Sequence, residues 1–212
     1  MVSHPAKVLP AIEAALTNLK EDIRSWGEMR GRLKAGQDLI SFNPHVSGPG
    51  AEDLPDSPAG FRFWEMEDED SYSTFMENLA IQLDMLELSP EEYQKLPPGY
   101  GVVRYVLRFE THCKFSSWLA LENVGPDDMA LVRQNYRKVG LESEAEALER
   151  AETAWYAANG HEGSGYEAAS EAYNSGDNAF RDEDERWFRL LDILRNESWW
   201  LDREVPNPSV RP

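Results

Sequence analysis

Two residue pairs that contain a histidine are the places where the residue types alone suggest catalysis. His161 and Glu162 invite comparison with a zinc protease motif, but that motif needs a second histidine, and the neighbours here are glycines. His112 and Cys113 could form a thiol nucleophile with its base, but adjacent residues rarely present both side chains to one substrate. Neither pair therefore predicts a catalytic residue or a metal ligand.

Carboxylates are too numerous for any single pair to stand out as an acid–base couple. The chain holds 39 Asp and Glu among 212 residues, so any two could be posed as the pair that a hydrolase needs. Gly160, Gly163 and Gly165 follow a helical pattern rather than a strand, which argues against a phosphate-binding loop. We predict a protein that is not an enzyme and needs no cofactor. A hydrolase with a carboxylate pair stays an alternative, to be tested by mutating one specific pair.

Rows of acidic residues at helical spacing are more informative than the acidic composition. Acids three or four residues apart on a helix are separated by a rise of about 4.5–6 Å, broadly similar to the spacing of phosphates along one DNA strand. Each like-charged pair destabilises its helix slightly, so such rows indicate either solubility or a basic partner. For the acidic run before residue 71, a second explanation is charge that suits a helix dipole. The predicted partner-binding residues are Glu142, Glu146 and Glu149, followed by Glu67, Asp68, Glu69 and Asp70.

The net charge of −18 is unevenly distributed. Residues 1–60 hold six Lys and Arg against eight Asp and Glu, whereas the remainder holds 15 against 31. A field of this sign repels nucleic acid and anionic membranes and attracts basic proteins. The sequence has no apolar run near the roughly 18 residues that a membrane span needs, no signal-peptide pattern at its start, and a single cysteine. We expect a cytoplasmic protein that binds neither nucleic acid nor membranes directly.

The elements that position these acids are predicted to be helices. Apolar residues recur at helical spacing through most of the chain, and 36–64 is instead rich in proline and glycine. We predict an all-α, single-domain, bundle-like array of about seven to eight helices, with a long irregular connection in the N-terminal third. The expected divisions are an N-terminal helical arm at 1–35, the connection at 36–64, an acidic helical core at 65–205 and a tail at 206–212.

Several local patterns carry this prediction. Ser89-Pro-Glu-Glu92 predicts a capped short helix, and Thr74 with Glu77 and Ser143 with Glu146 have capping-box spacing. The segment from Tyr100 to Glu110 fits a strand or a helix, and we choose helix because no partner strands exist. The expected inward-facing residues elsewhere are Ile12, Leu16, Leu19, Ile23, Phe75, Leu79, Leu83, Phe115, Trp118, Met129, Val132, Tyr136, Leu141, Ala145, Leu148, Ala151, Trp155, Trp187, Leu191 and Leu194.

The stretch from Glu110 to Trp155 resembles a bacterial domain family, largely of unknown function, that includes a DNA-mimic protein. Glu110 and Phe115 resemble the family's acid and phenylalanine, and Val139-Gly140-Leu141 resembles its helix break. The helix from Glu144 to Trp155 and the Trp187-Phe188 region are similar to its later helices. His112-Cys113-Lys114 departs from the Asn-Gly-Gly that is usual there. The resemblance covers roughly residues 100–203; it implies an all-α fold and permits DNA mimicry.

These observations favour a non-enzymatic acidic protein, with DNA mimicry as one form of its action. Such a protein would occupy the basic nucleic-acid-binding surface of a DNA-binding protein. The alternative is an immunity or antitoxin-like protein that neutralises a basic nuclease. Such a protein would also bind through acidic surface, but to one dedicated partner. The sequence leaves the oligomeric state open, a homodimer included.

Overall fold

The structure is a computed structural model that describes residues 4–35, 50–176 and 183–196. Within these ranges the chain is helical and has no β-strand, which confirms the all-α prediction. Eight of the described α-helices have five residues or more, in agreement with the expected seven or eight, and two are single turns. They are α1 Leu9–Lys34, α2 Glu69–Asp84, α3 Pro90–Tyr93, α4 Pro98–Gly101, α5 Arg108–Ser116, α6 Ala120–Val124, α7 Pro126–Lys138, α8 Glu142–Ala157, α9 Gly165–Tyr173 and α10 Glu183–Asn196.

Helix α1 packs against α2 and contributes to the same hydrophobic core. Its predicted apolar stripe is buried, from Ile12 to Ile23. The helix continues past Gly27 and Gly31, because a glycine weakens a helix without ending it. There is open space around both glycines. Across the interface the amide of Asn18 donates to the side-chain oxygen of Asn78 at 3.3 Å.

An aromatic cluster anchors the irregular segment that precedes α2. Residues 50–62 form turns but no helix or strand, and Phe63 and Trp64 then enter the core. His4 stacks on Phe63 with ring centroids 5.6 Å apart, and its Nε2 is 2.8 Å from the carbonyl oxygen of Phe61. These aromatic contacts fix the end of the irregular segment to the core. Residues 36–49, with the run 38–42 considered as a strand, lie outside the described residues.

The centre of the fold is a continuous helical segment from α4 to α5, joined by a π-helix at Val102–Leu107. It packs on one side against α2 and on another against α7. Because neighbours cover it all round, residues of both candidate periods are buried, including Val102, Val103 and Phe109. The helix chosen for this segment is confirmed, and its burial explains why the pattern also fitted a strand.

The helix starts confirm one capping prediction and correct two. Ser89 and Glu92 form the reciprocal capping box at the start of α3. Helix α2 instead begins at Glu69, capped by Asp68, whose Oδ1 accepts from the backbone N–H of Ser71 at 2.8 Å. Thr74 therefore lies inside the helix. Helix α8 begins at Glu142 without a side-chain cap, so Ser143 is likewise inside a helix.

A tight turn at Gly140 joins α7 to α8, and α8 also packs against α9. Gly140 has a φ of +77°, a conformation that glycine adopts without strain. The apolar stripe of α8 is buried as predicted, from Leu141 to Trp155. Phe115 corrects another prediction, because it is 80% exposed at the end of α5. Trp199 and Trp200 lie outside the described residues.

Candidate partner-binding surface and a buried charge cluster

The three acids of α8 are exposed, and one arginine from the preceding helix lies among them. Arg137 Nε donates to Glu142 at 2.9 Å, and its Nη2 donates to Glu149 at 3.4 Å. The hydrogen bond that Arg137 donates to Glu142 raises the pKa of Arg137, which therefore stays charged. Glu146 is exposed and has no ion-pair partner among the described residues. The α8 row thus carries a net charge nearer −2 than −3.

The acidic tetrad Glu67, Asp68, Glu69 and Asp70 stands at the start of α2. Asp68 is half-buried because it caps the helix, whereas the other three are exposed and have no cationic partner within the described ranges. Negative charge at this position also suits the helix dipole. Helices α2 and α8 are not among the described elements that pack extensively against each other, so we treat the tetrad and the α8 row as two separate patches.

Asp84 is an acid at the C-terminal end of α2, where negative charge is unfavourable to the helix dipole, and two arginines compensate it. Its carboxylate lies 2.6 Å from Arg104 and 3.1 Å from Arg108, on the π-helix and α5. Arg104 also reaches Asp128 on α7, at 3.2 Å. This network therefore ties four helical elements together and leaves Asp84 unavailable as a free surface acid.

A buried charge cluster joins five helices in the core. Arg186 on α10 donates from Nε to Glu110 on α5 at 2.7 Å and from Nη1 to the Tyr173 hydroxyl on α9 at 3.0 Å. Its Nη1 also lies 3.5 Å from Glu144 on α8. The Tyr173 hydroxyl is 2.7 Å and 2.9 Å from the two Glu144 oxygens. Tyr136 on α7 donates to Glu110.

The electrostatics of this cluster are those of two carboxylates that share one cation. Glu110 and Glu144 are at most 1% exposed and Arg186 is 8% exposed. Burial raises the pKa of Glu144, although Arg186 and the Tyr173 hydroxyl act in the opposite direction. Burial is the largest single effect and works against the charge on Arg186, but Glu110 and the other groups around it together outweigh burial and raise the pKa of that guanidinium. Burial also raises the pKa of Tyr136 and Tyr173, so both hydroxyls stay protonated.

The histidines of the two pairs have separate surroundings. His161 lies in a one-turn helix, where its backbone N–H and its Nδ1 contact Glu122 at 3.3 Å and 2.7 Å. The Trp155 indole also donates to Glu122 at 3.0 Å. Burial acts to raise the pKa of Glu122, but the His161 and Trp155 hydrogen bonds lower it overall. This carboxylate therefore organises the turn between α8 and α9.

His112 and Cys113 are each half-buried on α5, and within the described part no hydrogen bond joins them. Burial lowers the pKa of His112, and the neighbouring Arg108 adds to the effect, so this imidazole is mostly neutral at pH 7. The described residues contain no group of three or more His, Cys, Asp or Glu side chains that could hold a metal ion. Among the described helices, none combines the length and the apolar content needed to cross a membrane.

A scan against protein-family models, a search of curated proteins and a search of solved structures each found no match to this chain. The resemblance of residues 100–203 to the family with a DNA-mimic member therefore stays a prediction.

Sequence reasoning missed the buried charge cluster, although a signal for it exists. Glu144 lies three and four residues before Ala147 and Leu148, in phase with the apolar stripe of α8. Glu110 lies four and three residues after Val106 and Leu107, which are also buried. An acid in phase with an apolar stripe indicates a buried carboxylate that needs a partner, because burial without one is costly.

Proposed function

We propose that this protein is a non-enzymatic acidic binding protein that occupies the basic surface of a partner, in the manner of a DNA mimic. The observation that carries the proposal is the start of α2. Glu67, Glu69 and Asp70 are exposed there with no cation opposite them among the described residues. Three unneutralised carboxylates beside the capping Asp68 make a concentrated negative patch, of the kind that attracts a basic surface.

The α8 row supports the proposal with its spacing. Glu142, Glu146 and Glu149 follow one another at helical intervals, so their rise of about 4.5–6 Å resembles the separation of phosphates. Arg137 neutralises part of this row, which makes it the weaker of the two patches. We therefore expect the α2 patch to contribute more to binding and the α8 row less.

The proposal is tested by charge reversal at the two patches. One variant carries Glu67→Lys, Glu69→Lys and Asp70→Lys, with Asp68 kept because it caps α2. Affinity capture from a lysate of the source organism, eluted with rising salt and with duplex DNA, compares this variant with the wild type. Binding to a DNA-binding protein should be lost early in the salt series and should be competed by DNA, because screening weakens contacts between charges.

Two further variants complete the comparison. Reversal of Glu142, Glu146 and Glu149 tests the α8 row. Reversal of the exposed α1 acids Glu13, Glu21 and Glu28 changes the net charge equally and serves as the matched control. If all three variants lose the partner to the same extent, only total charge matters and the patch assignment is wrong. If none does, the acids are solubilising surface.

A captured nuclease whose activity falls on binding would indicate the antitoxin-like alternative.

A further inference from the structure

A cavity of about 270 Å³ lies between the α3–α4 region, the π-helix and α7. Its walls are formed by tyrosines, prolines, leucines and side-chain amides, and Lys138 is the one charged residue at its edge among the described residues. No carboxylate of the described chain lines it, in contrast to the acidic character of the molecule. Ligand pockets for drug-sized molecules begin at about 300 Å³, so this cavity suits a smaller organic molecule.

Lys138 supplies the charge at this cavity. Its Nζ donates to Asn135 Oδ1 at 3.2 Å, and no carboxylate among the described residues pairs with it. Lys138 is exposed overall, and the desolvation of its ammonium group beside the cavity lowers its pKa. As the last residue of α7 its charge suits the helix C-terminus, which explains a lysine there but not the absence of a carboxylate partner.

Tyr105 supplies an unused hydrogen-bond donor. The residue is 5% exposed and lines the cavity, yet its hydroxyl has no hydrogen-bond partner among the described residues. Tyr93 meets the Tyr105 ring edge-on, with ring centroids 5.6 Å apart, and the guanidinium carbon of Arg104 lies over that ring, 5.0 Å from its centroid. Burial raises the pKa of Tyr105, so the hydroxyl keeps its proton. The hydroxyl is not one of the enclosed polar atoms without a partner in the described part, so water reaches it at the cavity, and a ligand that accepts from it would replace that water.

The surrounding contacts fix the wall that carries Lys138. The Asn135 side chain is 2% exposed and donates to the carbonyl of Leu131 at 2.8 Å, which leaves its oxygen to accept from Lys138. Gly101 lies directly opposite, because a Cβ there would approach Asn135 Oδ1 to 3.0 Å. Tyr105 belongs to the π-helix, an irregularity that often occurs at functional sites.

We propose that this cavity binds a small organic carboxylate. The Lys138 ammonium provides the charge for its head group, the Tyr105 hydroxyl provides a donor, and Tyr93 and Leu131 contact its apolar body. A single ammonium matches a monoanion, whereas a phosphate dianion requires more cations or a set of backbone N–H donors than this wall contains. The site is independent of the acidic patches, so neither proposal depends on the other.

The test uses phenylacetate and 3-methylbutanoate as probes of the full chain, followed by ¹H–¹⁵N NMR. We expect saturable shift changes centred on residues 93–105 and 131–138 for at least one probe, and no binding of the neutral isostere phenylacetamide. Lys138→Met should weaken binding tenfold or more, because a hydrogen bond to a charged group is among the strong ones. Lys138→Arg should retain most of the affinity, and Tyr105→Phe should lose several-fold.

Lys114→Met removes the same charge from α5 and serves as the matched control. Its affinity for the probe should equal that of the wild type. The spectra of the unliganded variants show whether each is folded, so weaker binding can be assigned to the site. The proposal is overturned if neither carboxylate shifts these residues, if phenylacetamide binds as tightly as phenylacetate, or if Lys138→Met binds like the wild type.

Discussion

Replacement of Arg186 by methionine removes the one cation that the described residues place between Glu110 and Glu144. The guanidinium contacts Glu110 at 2.7 Å, Tyr173 at 3.0 Å and Glu144 at 3.5 Å, and both carboxylates are almost fully buried. Breaking a buried pair by removing one partner costs about 3–5 kcal/mol, because the remaining charge is uncompensated. We expect Arg186→Met to lower the free energy of unfolding by about that amount at pH 7.

The pH dependence of this loss tests its electrostatic origin. Burial already raises the pKa of Glu144 and Arg186 opposes that rise, so without Arg186 the folded-state pKa of Glu144 should lie further above the unfolded value of about 4.3. Between these values the folded protein binds protons that the unfolded chain releases, so stability falls as pH rises through this window. The difference in unfolding free energy between wild type and Arg186→Met should therefore shrink as pH falls from 7 towards 5.

Urea denaturation followed by tryptophan fluorescence and far-UV circular dichroism measures both effects. Arg189→Met is the matched control, because Arg189 is exposed on the same helix, and its cost should stay within about 0.5 kcal/mol. Glu144→Gln in the Arg186→Met background should recover part of the loss, since an amide needs no counter-charge. A cost for Arg186→Met equal to that of Arg189→Met, or independent of pH, would refute the reasoning.

Two further predictions concern local structure and are checked by the same denaturation assay. Asp68→Ala should destabilise the protein by about 1 kcal/mol, because it removes the cap of α2. Thr74→Ala should change stability by about 0.5 kcal/mol or less, although the sequence predicted that Thr74 is a cap. A larger loss for Thr74→Ala than for Asp68→Ala would contradict the observed helix start. Gly27→Ala should stabilise by about 0.5–1 kcal/mol, because Gly27 is helical with open space around it. Gly140→Ala should destabilise by about 1 kcal/mol, because its φ of +77° strains alanine although space is free there; equal effects of the two glycine variants would contradict this.

Local periodicity determined the fold class and most of the buried faces of this protein. A helix that packs on one side records that side in its sequence, as α1, α2 and α8 do through their buried stripes. The segment around Tyr105 left strand and helix open because it is buried all round, and an element covered on every side has no polar face to define its period. The tertiary structure shows that this segment is a helix packed between α2 and α7.

Helix boundaries depended on more than spacing. Thr74 and Ser143 each stand three residues before a glutamate, yet both lie inside helices that begin earlier in the chain. The backbone N–H of that glutamate is then used within the helix and does not need a side-chain cap. Asp68 caps α2 because the chain turns into the helix there, which the spacing of the residues does not reveal.

The charges show most clearly what only the tertiary structure decided. The sequence predicted that Glu142 and Glu149 would be exposed, but the turn at Gly140 brings Arg137 between them and weakens that row. Arg186 and Glu110 are 76 residues apart in the chain and meet in the core. Helical spacing records which face of a helix is buried, whereas the pairing of charges depends on which helices come together, and that is set by the packing of the whole core.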